Sequence, residues 1–399
     1  MKKPELLAPA GDLEKLKIAL IYGADAVFIG GKQFSLRARA SNFDLEDIKS
    51  AVDFAHARDK KVYVTTNIIP HPEDLTGLVE YLKALEAIQV DGIIAASSTI
   101  IQAAKQHTKL TIHLSTQQSI TNEYGVSFWH QRGVERVVLG RELDLNEINH
   151  IKQHTNAEIE VFIHGGMCVS YSGKCTLSNH MTERDANRGG CAHSCRWNYD
   201  LYEAGLKKNV SMPFSMSAKD LQSVKHISKL IDIGVDSLKI EGRMKSIHYI
   251  ATVVKTYRQL IDEITEDIEV SIPQYLLEIK KAENRLTSHG FMQGMTTINE
   301  QLYQLRSEQP TQEFVGLVID YDPKTQSAII EQRNKFVTGD ILERFSPIET
   351  PLSFKVTEMY DETNTLVDTA PHPKQRLRLV VPFPLSPFDM LRKIAHNNG

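Results

Sequence analysis

Residues 5–31 read Glu5-Leu-Leu-Ala-Pro-Ala-Gly11, Asp12-Leu-Glu-Lys-Leu-Lys-Ile-Ala-Leu-Ile-Tyr-Gly23, then Ala24-Asp-Ala-Val-Phe-Ile-Gly-Gly31. The first run is apolar and ends in turn residues, as a buried strand does. Asp12 stands where a helix N-cap belongs, Leu13, Leu16, Ala19 and Leu20 share one face, and Gly23 closes the segment. The third run is again a strand. Its Gly30-Gly31 end reads as a plain turn or as backbone free to approach an anion.

The unit repeats along the chain. Apolar runs recur at 61–66, 91–95, 110–114, 134–139, 159–163, 212–216 and 236–240, with helical spacing between them, as at 75–88. Near-continuous apolar strands joined by helices imply a parallel sheet covered on both faces. About eight such units favour an α/β fold closed as a (β/α)8 TIM-like barrel over an open sheet. No Gly-x-Gly-x-x-Gly follows the first strand, which argues against a dinucleotide site.

Residues 247–305 read as trailing helices, with apolar spacing at 249–265 and again at 273–285. Near Pro310 the pattern changes to short alternating runs separated by turns, at 314–320, 327–331, 335–342, 353–357 and 376–381. These predict a small C-terminal β-barrel. The expected domains are therefore 1–305, a barrel carrying a cysteine-rich insertion, and 306–399.

The 399 residues carry 46 Lys plus Arg against 50 Asp plus Glu, a formal charge of −4. A polycation that binds nucleic acid through its overall field is thereby excluded, so any such contact needs a local basic patch. No run approaches the length of a membrane-spanning helix. The N-terminal stretch lacks the apolar core of a secretory signal, and a cytoplasmic protein is expected.

All four cysteines, Cys168, Cys175, Cys191 and Cys195, fall in one window, with six, fifteen and three residues between successive members. Four thiolates suit Zn²⁺ or an iron–sulfur cluster. Zinc knuckles pair cysteines two to four residues apart, a spacing that only Cys191 and Cys195 approach. The loose, uneven spacing fits a cubane cluster wrapped by two loops better. Two disulfides are a third reading, one that expects a secreted chain.

Polar residues end several of the strands: Asn67, the run His113-Leu-Ser-Thr-Gln-Gln118, His164, and Lys239-Ile-Glu-Gly-Arg-Met-Lys245. In a barrel these ends meet on one rim, where active sites are built. Any one of them alone reads equally well as a loop residue bonded to backbone. Glu160 and His164 lead directly into Cys168, which hangs the window on the same rim. Asp185, with Arg184 and Arg188, is either a solvated charge cluster or, beside four sulfurs, an anion site.

With these residues laid out, the chain resembles the peptidase U32 family over essentially its whole length. The likeness is carried by Glu160-Val-Phe-Ile-His-Gly165, Met167-Cys168, Gly173-Lys-Cys175, Leu177-Ser178, Asn187-Arg-Gly-Gly-Cys191 and Cys195-Arg-Trp197. LLAPAG, ADAVFIGG, HLSTQQS and SLKIEGRMKS add matches outside the window, and the segment from Phe314 through Gln375 looks like the family's C-terminal β domain. Gly166 departs from the pattern, standing where Ala or Ser is expected.

Within the family the chain is most similar to the branch that hydroxylates tRNA. That resemblance implies a four-iron, four-sulfur cluster on Cys168, Cys175, Cys191 and Cys195, and prephenate as co-substrate for 5-hydroxylation of the wobble uridine. Arg184, Arg188, Arg243 and Lys245 are the expected partners of the prephenate carboxylates, since a guanidinium pairs bidentately with a carboxylate. His113, His164 and Glu160 are the expected catalytic groups. Trp197 or Tyr171 would stack on a flipped-out base.

Related substrates, a ribosomal RNA cytidine or a quinone precursor, are alternatives. So is proteolysis, which the family's name suggests. Neither a His-Glu-x-x-His nor a Gly-x-Ser-x-Gly motif is present, and four metal-bound cysteines leave no nucleophile. A related partner subunit, with this chain as its scaffold, is a third class.

Overall fold

The computed structural model describes residues 2–36, 42–209, 214–282, 285–302 and 313–394. Eight parallel strands form its centre: β1 Glu5–Pro9, β2 Ala26–Gly30, β3 Lys61–Thr66, β4 Gly92–Ala95, β5 Ile112–Leu114, β6 Arg136–Val138, β7 Glu158–Gly165 and β8 Ser237–Ile240. Each pairs with the next, and β8 pairs both with β7 (Leu238 beside Val161) and with β1 (Leu6 beside Leu238). The sheet is therefore closed, and the TIM-like expectation holds.

Local chemistry starts the helices between the strands. In α1, Leu13–Ile21, Asp12 accepts the Lys15 N–H over 2.9 Å. The Leu45–His56 and Leu145–Gln153 helices begin with capping boxes, Asp44 with Asp47 and Asp144 with Glu147. Each satisfies N-terminal N–H groups that have no partner inside a helix. Strand β2 is buried at all five positions, because helices cover one face and the barrel interior the other.

Three expectations change. The helix expected at 75–88 begins at Leu78, since Pro72–Leu75 forms a 3-10 turn and Gly77, at φ 77°, sits in the left-handed region. Of the run at 212–216, residues 212–213 lie outside those described, and Phe214 makes an isolated bridge to Tyr199 and joins no strand of the barrel. Instead, Asp220–Gln222 adds to β7 in the antiparallel sense.

The C-terminal unit is a seven-stranded antiparallel sheet in the order Leu352–Lys355, Ile341–Phe345, Met390–Lys393, Glu313–Asp322, Ser327–Gln332, Arg376–Val380, Met359–Tyr360. The run expected as one strand at 335–342 divides. Phe336–Val337 pairs with Thr369–Ala370, and Ile341–Phe345 joins the main sheet. Between them Gly339 takes φ 96°, and Asp340 Oδ2 closes the turn by accepting the Val337 N–H over 2.9 Å. The expected boundary at 305/306 lies outside the described residues.

The sheet docks on the helix Ile247–Thr265 through Arg392, a residue 1 % exposed. Its guanidinium donates to His248 Nε2 (2.9 Å), Thr252 Oγ1 (2.7 Å) and Glu278 Oε1 (2.6 Å) and lies over the Phe345 ring. Tyr22 of the first βα unit donates its hydroxyl to Phe345 and Phe388 carbonyls, each at 2.9 Å.

Candidate functional site

The barrel interior changes character along its axis. Its lower layer is charged. Arg136 donates to Glu5 (2.5 Å), Glu158 (2.8 Å) and Glu160 (3.3 Å), Lys239 donates to Glu160 over 2.7 Å, and Tyr63 donates to Glu5 over 2.9 Å. Above it, Phe28, Ile94 and Phe162 form an apolar floor, and Lys239 Nζ lies 4.6 Å from the centre of the Phe28 ring. Over that floor a cavity of about 280 Å³ opens at the C-terminal ends of the strands.

The cysteine window roofs the cavity, and small polar side chains stitch the window together. Asn179 Oδ1 accepts the Ala186 N–H at 3.0 Å, Asp185 Oδ1 the Asn187 N–H at 2.9 Å, and Ser178 Oγ the Ala192 N–H at 3.0 Å. Asp185 is thus a turn cap. At Gly173, φ is 76°, and a Cβ there would stand 2.3 Å from the Gln117 carbonyl oxygen. Only glycine lets this loop rest on the β5 rim.

All four cysteines border the cavity, and all four are free thiols, so the disulfide reading is set aside. Burial pushes the Cys195 thiol up, and the other three thiols add to the shift. Among the described residues, no three His, Cys, Asp or Glu side chains gather tightly enough to hold one ion. A single zinc brings its sulfurs together at about 2.3 Å from the metal. The four cysteines all border one cavity, and their thiols are the groups able to hold a metal cofactor.

Of the other predicted residues, Tyr171, Arg243 and Lys245 line the cavity. Arg243 is buried and donates to Ser35 Oγ over 3.4 Å, and Lys245 stands 3.7 Å from Asp220. Tyr171 is half exposed at the mouth.

The remaining predicted residues lie elsewhere. Arg188 donates to Asp74 and Glu73, both at 2.8 Å, and clips the window to the Pro72–Leu75 turn. Arg184 and Trp197 are not on the cavity wall. Glu160 and His113 belong to the charged layer beneath the floor, where β7 and β5 point inward. His164 points outward to the helix layer, 3.2 Å from the Tyr257 hydroxyl.

The charges of these groups follow from their surroundings. Burial raises the Glu160 carboxyl, but Lys239 and Arg136 outweigh it and hold the group at about 2. Burial, with Arg136 adding, depresses His113 to about 3, and burial depresses His164 to about 4. At neutral pH Glu160 is an ion-paired carboxylate, and both histidines are neutral.

Residues 11–302 match Peptidase family U32, and residues 310–392 match the Peptidase family U32 C-terminal domain. The chain belongs to peptidase family U32. Among its U32 relatives, tRNA hydroxylation protein P1 of Bacillus subtilis is 48 % identical over 98 % of this chain and 95 % of that one. The 23S rRNA 5-hydroxycytidine C2501 synthase of Escherichia coli is 39 % identical over 66 % of this chain and 40 % of its own length. A protein of Porphyromonas gingivalis named Collagenase is 30 % identical over 97 % of both chains.

The sequence reading of this U32 chain passed over Arg141, Arg196 and Gln117 as site residues, yet all three line the cavity. Arg141 donates to the Gly166 carbonyl at 2.5 Å and stacks over Phe162. No motif marks it. Its place just past β6, in a barrel, was the available signal.

Proposed function

We propose that this chain hydroxylates RNA, and more closely that it hydroxylates C5 of the wobble uridine of tRNA with prephenate as co-substrate and a [4Fe–4S] cluster on Cys168, Cys175, Cys191 and Cys195. One observation carries the reading: a single cavity on the barrel's C-terminal rim is bordered both by all four thiols and by Arg141, Lys239, Arg243 and Lys245. The names of the B. subtilis and E. coli relatives, both RNA hydroxylation, support the coarser statement.

The residues fit such a cluster, because four cysteine thiols bordering one cavity are the donor set that a [4Fe–4S] centre takes. When bound, a cluster supplies redox and Lewis-acid chemistry that no side chain there possesses. The chain's own groups do the rest. Arg243, Lys245, Lys239 and Arg141 hold the two carboxylates of prephenate. Phe28, Ile94 and Phe162 pack against its ring and keep water from it. Tyr171, half exposed at the mouth, offers a face on which the target base stacks. Glu160 acts from below by fixing Lys239 and exchanges no proton near neutral pH.

Proteolysis is the competing reading, carried by the name of the P. gingivalis relative. A thiol protease needs a histidine beside its nucleophile. His113 and His164 lie under the floor and behind β7, whereas His193 lines the cavity with the thiols, so this reading requires a thiol that no metal holds.

The test is nucleoside mass spectrometry of tRNA and ribosomal RNA from a strain lacking this gene and its paralogues. Disappearance of 5-hydroxyuridine derivatives from tRNA is the expected result. A loss confined to ribosomal cytidine moves the target. Unchanged RNA pools discard RNA modification and return the question to peptides, quinone precursors or a scaffold for a partner subunit.

A further inference from the structure

Gln117 lies in the turn Thr116–Gln118 that follows β5, borders the cavity, and is only 5 % exposed. A chain of hydrogen bonds beginning on the backbone fixes its carboxamide. The Leu36 N–H donates to Asn67 Oδ1 over 3.1 Å. Asn67 Nδ2 then donates to Gln117 Oε1 over 2.7 Å. Ser115 Oγ donates to that same oxygen over 3.0 Å. A backbone N–H can only donate, so every later link has its direction set, and flipping either amide would oppose donor to donor.

What remains is Gln117 Nε2, buried and without a partner among the described residues. Native folds rarely leave such a donor unmet, because its desolvation is not repaid. The cavity is moreover two-sided. β6 and β8, with the residues after them, bring Arg141, Lys239, Arg243 and Lys245, whereas β3 and β5 bring the neutral amides Asn67 and Gln117. Cations match carboxylates. An oriented neutral amide matches a carbonyl oxygen.

We propose that Gln117 is a substrate-binding donor whose Nε2–H binds an sp² oxygen in the cavity. The inference rests on the hydroxylase reading, in which that oxygen belongs either to the pyrimidine of the RNA or to prephenate. Since cations already face the carboxylates, the pyrimidine carbonyl is the expected acceptor.

The test uses the full-length, cofactor-loaded protein with Gln117→Glu and Gln117→Met. The first keeps the oxygen that Asn67 and Ser115 hold and replaces the donor with an acceptor. The second removes the amide at similar length. Prephenate and an anticodon stem-loop RNA are titrated separately by calorimetry, without turnover. Both variants should weaken RNA binding by about tenfold while prephenate binding and melting temperature stay at the parental values. Weakening for prephenate alone also supports the donor and assigns its oxygen to the co-substrate. Unchanged affinity for both ligands overturns the proposal, as does equal weakening for both with a lowered melting temperature. The hydroxylase reading is judged separately, by whether the parental gene restores 5-hydroxyuridine to tRNA of the deletion strain.

Discussion

Lys239 Nζ lies 2.7 Å from Glu160 Oε1, with side-chain exposures of 5 % and 0 %. The cation at the cavity floor is therefore held from beneath by a carboxylate that substrate does not reach. Removing one member of a buried pair costs more than the pair contributes, because the other charge stays buried. Glu160→Gln should destabilise the fold by about 3 kcal/mol at pH 7, read from urea unfolding. The Glu160 carboxyl falls from its ordinary 4.5 to about 2 in the folded chain. Its contribution is thus complete above pH 4.5 and is lost as pH falls toward 2. The variant should show a flatter acid limb; an unchanged limb would remove the pair from the account.

Three buried histidines add a second acid response. Burial is the main cause that depresses His113 to about 3, His164 to about 4 and His248 to about 3. Their folded values lie below the ordinary 6.5, so the unfolded chain takes up protons first. Stability should be full above pH 6.5 and should fall toward pH 4 by about 1.4 kcal/mol per unit for each group. Thermal unfolding between pH 7 and 4 measures it, and His248→Gln should lessen the slope.

Arg392→Met should uncouple the two units. The substitution removes three hydrogen bonds, to His248, Thr252 and Glu278, at a cost of about 3 kcal/mol or more. Calorimetry should then resolve two unfolding transitions in place of one. A single transition at the parental temperature would show that the Tyr22 contacts suffice for docking.

Cys191→Ala should abolish iron loading and RNA hydroxylation together, measured by iron and acid-labile sulfide content beside nucleoside analysis. Hydroxylation that persists without iron would exclude a cluster mechanism. Chelation of iron from the parental protein should have the same effect.

Gly173→Ala tests the window's seat on the barrel. The new Cβ would meet the Gln117 carbonyl at 2.3 Å, at a positive φ. The barrel should unfold normally while iron content drops severalfold, since the loop between Cys168 and Cys175 is displaced. Full iron content in the variant would show that the loop has another resting position.

The sequence alone determined the repeating strand–helix unit, because parallel strands buried on both faces write themselves as continuous apolar runs and a helix announces its cap, as at Asp12. It also determined the window, because four cysteines in one short segment stand out without any knowledge of contacts. Gly339 and Asp340 broke an apparent strand at 335–342, since a side-chain cap and a positive φ outrank alternation of apolar residues. The membership of the cavity was a tertiary matter. Arg188 and Arg243 look alike in sequence, yet Asp74 and Glu73 hold the first on the outer edge of the window, while the second turns inward beside Ser35. Glu160 and His164 are four residues apart on one strand but point to opposite sides of the barrel wall. The strand's pairing between β6 and β8, with its bulge at Lys239–Ile240, decides which side each takes. The direction in which Gln117 presents its amide depended on a backbone N–H donated to Asn67, a partner fifty residues away that no local pattern could supply.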